Sequence, residues 1–481
     1  MSTVHLLEAV LELTGPGAVA APESLAVGSA RRPSLPLARD GWGNPYVPAT
    51  SLVGSLRQQA ARDRRPVLFG EVVQGTGEDG GETLARASTV RVLGTRCRPE
   101  EEPVVRRRTA VDRHRAAARA TSLHSRELLP PGTEITLWLR IDSAAPECPL
   151  VNEVVALLGA WRPRVGGGRT TGYGRAELVR VRHRAIDLST TAGLLHWLTE
   201  GGPELVDDRA SVVYDRSHRA GGAPDEALLF DRSLEFRIVD ALHIGGGEPF
   251  AHPGRGTDAA PLLRDHEGTP VVPGSTWKGV LRARCEFILG SVGVGGVCTP
   301  HGGGGEHPGP GTCGRCAVCV AFGWTERSGA PPGRDGARPG AVGARGWLLF
   351  ADSPIRDGRV RVRNHVALDR VFGGARDGAL YAEQTVEDGH LVLAVRHDPP
   401  VPEPGDSPVR ELVRAALVLA LSEVADGTVG IGGGTTRGHG TLAALPATSD
   451  WLAKARTEAV ETLRRAHRDA TAPPAPEGIP V

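Results

Sequence analysis

The chain carries one motif twice, and every residue of the second copy lies at a constant offset from its counterpart in the first. Arg39-Asp40 leads into Pro45-Tyr46-Val47-Pro48-Ala49-Thr50-Ser51-Leu52-Val53-Gly54-Ser55-Leu56-Arg57. Arg264-Asp265 leads into Pro270-Val271-Val272-Pro273-Gly274-Ser275-Thr276-Trp277-Lys278-Gly279-Val280-Leu281-Arg282. A second pair follows later in each half, Gly166-Gly167-Gly168-Arg169-Thr170-Thr171-Gly172-Tyr173-Gly174 and Gly432-Gly433-Gly434-Thr435-Thr436-Arg437-Gly438-His439-Gly440. Two motif pairs in the same order imply two copies of one domain. The length of 481 residues agrees, because cores stop growing beyond roughly 250–300 residues and chains then split.

The elements can be placed around these motifs. Val4–Leu13 and Leu234–Leu242 read as equivalent opening strands, each entering a glycine-rich turn. After the Pro-x-x-Pro turn the apolar spacing becomes helical, with Leu52, Leu56 and Ala60 in one half and Val280, Leu281 and Cys285 in the other. Thr50 and Ser275 stand at the two helix starts as candidate caps. Ile135, Leu137, Leu139 and Ile141 alternate as one face of a strand. Leu150–Leu158 and Pro408–Val424 read as a later helix in each half, and Pro408 suits a first helical position. Closing strands follow the glycine loops, near 176–181 and 441–444. The order strand, helix, strands, helix, strand predicts an α+β fold of two ferredoxin-like βαββαβ domains in tandem, with insertions. The expected boundaries are a first domain over 1–182, a linker over 183–228, a second domain over 229–448, and a C-terminal helix and tail over 449–481.

The hydrophobic fraction of 40% suits a soluble globular protein, and no apolar run reaches the ~18 residues of a membrane span. The N-terminal residues lack a basic region and a small-residue cleavage site, so no signal peptide is expected and the cytoplasm is the expected location. Net charge is zero, yet seven arginines fall between Arg106 and Arg126. A segment of this kind suits a phosphate backbone, although a solvated surface gives the same composition.

Cys313-x-x-Cys316-x-x-Cys319 is a tight turn of thiolates of the kind that wraps zinc, with Cys298, His301 or His307 as fourth ligand. Sulfur-rich coordination without an open position points to a structural metal. The segment has no counterpart in the first half, so it is an insertion, expected over ~291–325. Cys97, Cys148 and Cys285 read as isolated thiols. The glycine loops could present backbone N–H groups to phosphates, with Arg169 and Arg175 in one and Arg437 and His439 in the other. Neither is a Walker A loop, since no Gly-Lys-Ser/Thr follows, and each precedes a strand rather than a helix.

Pro270 to Arg282 together with the late glycine loop resembles the RAMP superfamily of CRISPR-associated proteins. Cys316-Ala317-Val318-Cys319-Val320-Ala321-Phe322-Gly323 is similar to the zinc turn and Phe-Gly of the backbone subunits of type III effector complexes, and Leu68-Phe69-Gly70 matches the Phe-Gly in the first half. The resemblance implies RNA-recognition-like domains with a projecting thumb hairpin that interrupts the guide–target duplex. Thr109-Ala110-Val111-Asp112-Arg113 and Val366-Ala367-Leu368-Asp369-Arg370 are the thumb equivalents. The phosphate contacts it implies are Arg57, Arg106, Arg107, Arg108, Arg113, Arg169, Arg175, Ser275, Lys278, Arg282, Arg363, Arg370, Arg437 and His439, with Arg361 as a further candidate. The implied partners are a guide CRISPR RNA, a complementary target RNA and other RAMP-family and effector-complex subunits, with no membrane.

The resemblance also implies a cleaving aspartate seven residues before the Asp of the Arg-Asp pair. In the second half that residue is Asp258, in an expected catalytic loop over ~245–265, while the constant offset puts Pro33 there in the first. A single carboxylate can position Mg or another divalent cation, or take the proton of a ribose 2′-hydroxyl. His243, His252 and His365 are candidate helpers. A non-catalytic guide-binding scaffold and a guide-processing endoribonuclease are the competing readings.

Overall fold

Thr3–Leu13 buries almost every side chain, and a strand with two apolar faces belongs in the middle of a covered sheet. The computed structural model describes residues 2–21, 35–73, 84–112, 117–118, 122–218, 227–247, 250–251, 258–298, 312–325, 343–398 and 408–471. The chain divides into two units. One comprises 1–106, 124–169 and 173–224, and the other 107–123, 170–172 and 225–481.

In the first unit the elements are β1 (Thr3–Leu13), α1 (Ala49–Gln59), β2 (Val90–Arg98), β3 (Glu134–Ser143), α2 (Pro149–Ala160), β4 (Ala176–Asp187), α3 (Thr191–Glu200) and β5 (Ser211–Asp215). The sheet order is β5-β4-β1-β3-β2, antiparallel throughout. Without β5 this is the ferredoxin-like arrangement. Leu7 faces Leu139 on one side and His183 on the other, which sets the central register. Leu52 and Leu56 of α1 and Val151, Val154 and Leu158 of α2 join Leu7, Leu11, Ile135, Leu137 and Leu139 in one core. The opposite sheet face is covered by a smaller cluster of Val4, Leu6, Trp138, Ile186, Leu205 and Val206. Residues 183–215 contain the end of β4, α3 and β5. Val181 of β4 pairs with Tyr214 of β5, so much of the expected linker is the edge of this sheet.

The second unit contains β6 (Leu234–Ile238), β7 (Asp258–Ala260), α4 (Gly274–Val292), α5 (Ala317–Phe322), β8 (Leu348–Phe350), β9 (Arg359–Leu368), β10 (Ala375–Glu387), β11 (His390–Leu393), β12 (Val395–His397), α6 (Pro408–Ala425), β13 (Leu442–Ala444) and α7 (Pro446–Thr471). Phe236 of β6 pairs with Leu391 of β11 and Ala444 of β13. β12 resumes after Ala394 and pairs with β8. The strand neighbours therefore repeat those of the first unit. Trp277, Leu281, Cys285 and Leu289 of α4 pack with Leu417 and Leu421 of α6 beneath Phe236 and Phe350. α7 closes the same core through Leu452, Ala459 and Leu463. β9 and β10 form a long hairpin, with His365 opposite Tyr381.

Two local expectations are corrected. The stretch Leu234–Leu242 is not one strand: after Ile238 the chain leaves the core sheet, and Ala241–Leu242 pairs with β10 instead. Thr50 and Ser275 are not caps. Pro48 and Pro273 occupy the cap positions of α1 and α4, with no side-chain cap bond. Proline fixes φ and ends the extended entry, so helical geometry begins one residue before each hydroxyl. At α4 the free Gly274 N–H donates to Asp352 Oδ1 at 2.9 Å.

Candidate nucleic-acid interface and metal centre

The second unit brings four sulfurs together. Cys298 Sγ lies 3.6 Å from Cys316 Sγ and 3.5 Å from Cys319 Sγ, and the four cysteine sulfurs, with Cys313, all lie within 4.8 Å of one another. Tetrahedral bonds of about 2.3 Å to a common zinc place sulfurs about 3.8 Å apart, so the donor set fits that ion. Disulfides need sulfurs near 2 Å, and all four thiols are free. Backbone N–H groups point at the sulfurs: Cys313 N to Cys298 Sγ at 3.1 Å, Cys316 N to Cys313 Sγ at 3.2 Å, and Cys319 N to Cys316 Sγ at 3.3 Å. Against the upward push of burial, donors from Arg315, Cys298 and Cys316 hold the Cys313 thiol down to about 6. Cys298 completes the cluster of four sulfurs; His301 and His307 lie outside the described residues.

Arg282 belongs to this centre. It donates to Glu286 Oε1 at 3.0 Å, to the Gly323 carbonyl at 2.8 Å and to Cys319 Sγ at 3.7 Å. Its counterpart Arg57 donates to the Phe69 carbonyl at 3.4 Å. The arginine that ends each motif therefore ties its helix to the Phe-Gly turn. Ser275 is half-buried in the first turn of α4. Lys278 is half-buried and donates to Thr170 Oγ1 at 2.7 Å, in the short segment grouped with the second unit. Burial, then the charges of Arg282 and Arg108, hold its ammonium down to about 8.

The glycine loops close on themselves. Gly174 and Gly440 have φ of +72° and +76°. A Cβ there would sit 2.0 Å from the Val165 carbonyl oxygen and 1.9 Å from that of Ile431. Val165 N donates back to Gly174 O, and Ile431 N to Gly440 O. These two glycines permit loop closure rather than ligand approach. Arg169 donates to the carbonyls of Gly166 and Arg164, within its own loop. Arg175 is half-buried and bridges Arg164 through the backbone. Arg437 is exposed, with Nη1 2.8 Å from Tyr381 Oη. His439 is buried and faces Glu383.

The hairpins carry the remaining cations. Arg106 is buried, 5.9 Å from the Tyr173 ring centroid, while Arg107 and Arg108 are half-buried. The composition of the basic run concealed this inward turn, because Arg106 follows an exposed Val104-Val105 pair. Arg113 lies outside the described residues. Arg363 is held by Asp240 and Glu387, and Arg361 by Glu387. Arg370 is exposed in the β9–β10 turn. There Asp369 Oδ1 accepts the N–H groups of Val371 and Phe372, and Phe372 is 88% exposed. Those two apolar side chains are tip residues that the charge pattern did not single out.

Asp258 is exposed at the start of β7. It pairs with Ala251, and the next two residues run parallel to Ala382 and Glu383 of β10. The strand that carries it is therefore joined to the middle of the β9–β10 hairpin. Residues 252–257, including His252, and Pro33 lie outside the described residues. His243 is buried, with Nδ1 2.6 Å from the Gln384 carbonyl oxygen.

No helix among the described residues is long and apolar enough to cross a membrane. No curated protein matches the chain. The family model of the RAMP superfamily matches residues 20–177 and 235–443, one segment in each half and together more than half of the sequence. With the duplicated ferredoxin-like strand order and the paired glycine loops, that match makes this chain a member of the RAMP superfamily, the CRISPR-associated RNA-binding proteins.

Proposed function

We propose that the chain is a backbone subunit of a type III CRISPR ribonucleoprotein, two such subunits fused into one polypeptide. It binds guide RNA through both halves and cleaves complementary target RNA once, in the second half. Joining two copies makes the second contact intramolecular and fixes their stoichiometry. Other RAMP-family subunits complete the filament, and a cytoplasmic location is part of this reading.

The observation that carries the cleavage assignment is the placement of Asp258, exposed on a strand paired to the hairpin β9–β10. Arg370, Val371 and Phe372 at the tip of that hairpin suit a wedge that unstacks a duplex. Kinking the target there aligns a 2′-oxygen with the adjacent phosphorus. The new P–O bond to the 2′-oxygen forms as the P–O bond to the 5′-oxygen breaks; Asp258 takes the 2′-proton, or would orient a cation while water takes it, and water protonates the departing 5′-oxygen. Mg2+ keeps several waters and needs only one or two carboxylates beside phosphate oxygens, so a lone Asp258 fits as its protein ligand. When bound, that ion neutralises charge developing on the phosphoryl oxygens.

We assign zinc to Cys298, Cys313, Cys316 and Cys319, where four thiolates leave no open position and the role is structural.

The test is Asp258→Ala in the reconstituted complex. Guide and target binding are expected to persist while cutting at one register disappears. Cleavage that survives unchanged would leave the non-catalytic scaffold as the function.

A further inference from the structure

His365, Glu383 and His439 come from three places in the second unit: strand β9, strand β10 and the glycine loop. His365 Nε2 lies 3.0 Å from Glu383 Oε1, and His439 Nδ1 lies 3.4 Å from the same oxygen. The three atoms all fall within 4.8 Å of one another. Glu383 is 7% exposed and His439 5%. Despite these short separations, none of the three buried atoms makes a hydrogen bond. Leaving a buried carboxylate oxygen and two ring nitrogens unsatisfied is costly. Close approach without hydrogen-bond alignment is what ligands show when they surround a shared centre.

The spacing supports that interpretation. Bonds of about 2.0–2.1 Å to a tetrahedral ion put nitrogen and oxygen ligands about 3.3–3.4 Å apart. We propose that His365 Nε2, Glu383 Oε1 and His439 Nδ1 bind a divalent transition-metal ion of the zinc class. Two imidazoles and one carboxylate suit such an ion, whereas Mg2+ and Ca2+ favour all-oxygen sites. The neutral imidazole is the ligating form of both histidines. Arg363 and Asp240 pair with each other nearby and leave little net charge.

Three protein ligands leave a fourth position. Arg437 Nη2 lies 3.9 Å from Glu383 Oε1, so an anionic oxygen, such as that of a phosphate, suits this position better than a neutral donor. The ion would staple the glycine loop to the hairpin, whether or not Asp258 cuts RNA. It is separate from the cysteine centre in donor type.

The full chain, stripped of metal, would be titrated with Co2+ alone and followed by absorption. Thiolate ligation gives intense near-ultraviolet charge-transfer bands, while a nitrogen–oxygen site gives only weak visible bands. A second equivalent is expected, adding visible absorption without further thiolate intensity. Glu383→Gln and His365→Ala are each expected to weaken that equivalent at least tenfold and to leave the thiolate band intact. If Glu383→Gln also loses the thiolate band through misfolding, His365→Ala decides, since His365 is the most open of the three ligands. Wild-type binding that ends at the thiolate equivalent, or a second equivalent untouched in a folded His365→Ala chain, overturns the site.

Discussion

Arg282 Nη1 donates to the carbonyl oxygen of Gly323 at 2.8 Å. The same guanidinium reaches Glu286 and Cys319, so one side chain ties the motif helix, the Phe-Gly turn and the sulfur cluster together. Among the described residues its first-half counterpart Arg57 makes only the longer bond to Phe69. A shared motif residue thus makes the same structural contact in both halves and has a further neighbour at the sulfur cluster in one.

Replacing Arg282 should therefore cost far more than replacing Arg57. Arg282→Ala removes the ion pair to Glu286, 8% exposed, together with the bonds to Gly323 and Cys319, and breaking a buried ion pair costs about 3–5 kcal/mol. Arg57→Ala removes one long hydrogen bond, worth about 1 kcal/mol or less. Arg282→Lys should not restore stability, because an ammonium cannot span three divergent acceptors. Urea unfolding of the variants measures this. Equal losses at the two positions would mean that the bond network around Arg282 contributes little.

Metal removal should destabilise the second unit through α5. Cys316 caps that helix by accepting the Cys319 N–H, and the helix buries Val318, Ala321 and Phe322. With free metal about a thousandfold above Kd, linkage supplies about 4 kcal/mol. A chelator or Cys316→Ser should lower Tm and raise amide exchange across Ala317–Phe322. Cys97→Ser should not release metal, since burial pushes the Cys97 thiol up to about 12 and Cys97 lies on β2 of the other unit. Unchanged exchange in α5 after chelation would show that the sulfurs do not hold it.

These contacts also show how far the sequence could be read. The duplication was legible because aligned glycines and prolines impose the same turns in both halves. β3 was legible because Ile135, Leu137, Leu139 and Ile141 alternate onto one buried face. The break after Ile238 was not, since Val239-Asp240 carries no proline or glycine and the change of sheet depends on β10 as a distant partner. The cysteine set was visible in its spacing, but choosing Cys298 needed the fold to return that segment to α5. The inward turn of Arg106, Arg282 and His439 was invisible too, because arginine and histidine composition does not reveal which face is covered. His365, Glu383 and His439 meet only because a hairpin and a loop converge, and no local spacing signals that.

A histidine pair gives the first unit a pH dependence. His5 Nδ1 lies 3.1 Å from His183 Nε2, with the rings stacked. Burial lowers both pKa values; the nearby His5 lowers that of His183 further, while a hydrogen bond from the His5 ring to the Ala145 backbone carbonyl and the charge of Asp142 partly offset the lowering at His5. The folded state then binds these protons at lower pH than the unfolded chain does. Stability from the pair is fully present above the unfolded value near 6.5 and is lost as pH falls through the folded values. Every tenfold drop in proton affinity on folding is worth about 1.4 kcal/mol per proton. His183→Gln keeps a hydrogen-bonding side chain without the charge, so its urea midpoint should fall less than the wild type between pH 7.5 and 5. Buried His439 and half-buried His397 leave a common residual slope, and the difference between the two chains isolates the pair. Parallel curves would exclude it as a titrating element.

The two central glycines of the second loop separate closure from ligand approach. Gly438 has φ of +87° and open space where a Cβ would stand. Gly438→Ala should cost only backbone strain, about 1–2 kcal/mol. Gly440 has φ of +76° and a Cβ position 1.9 Å from the Ile431 carbonyl oxygen, a backbone atom that no rotamer change can clear. It also donates to the Ala241 carbonyl oxygen at 2.6 Å while accepting from Ile431 N. Gly440→Ala must therefore open the loop and lose both bonds, adding about 1–3 kcal/mol to the strain. Thermal unfolding should rank Gly440→Ala well below Gly438→Ala, while guide-RNA binding by the folded fraction should suffer mainly in the Gly438 variant if RNA passes over that open position. Equal stability in the two variants would mean that the loop can reshape freely and that ligand approach, rather than closure, selects both glycines.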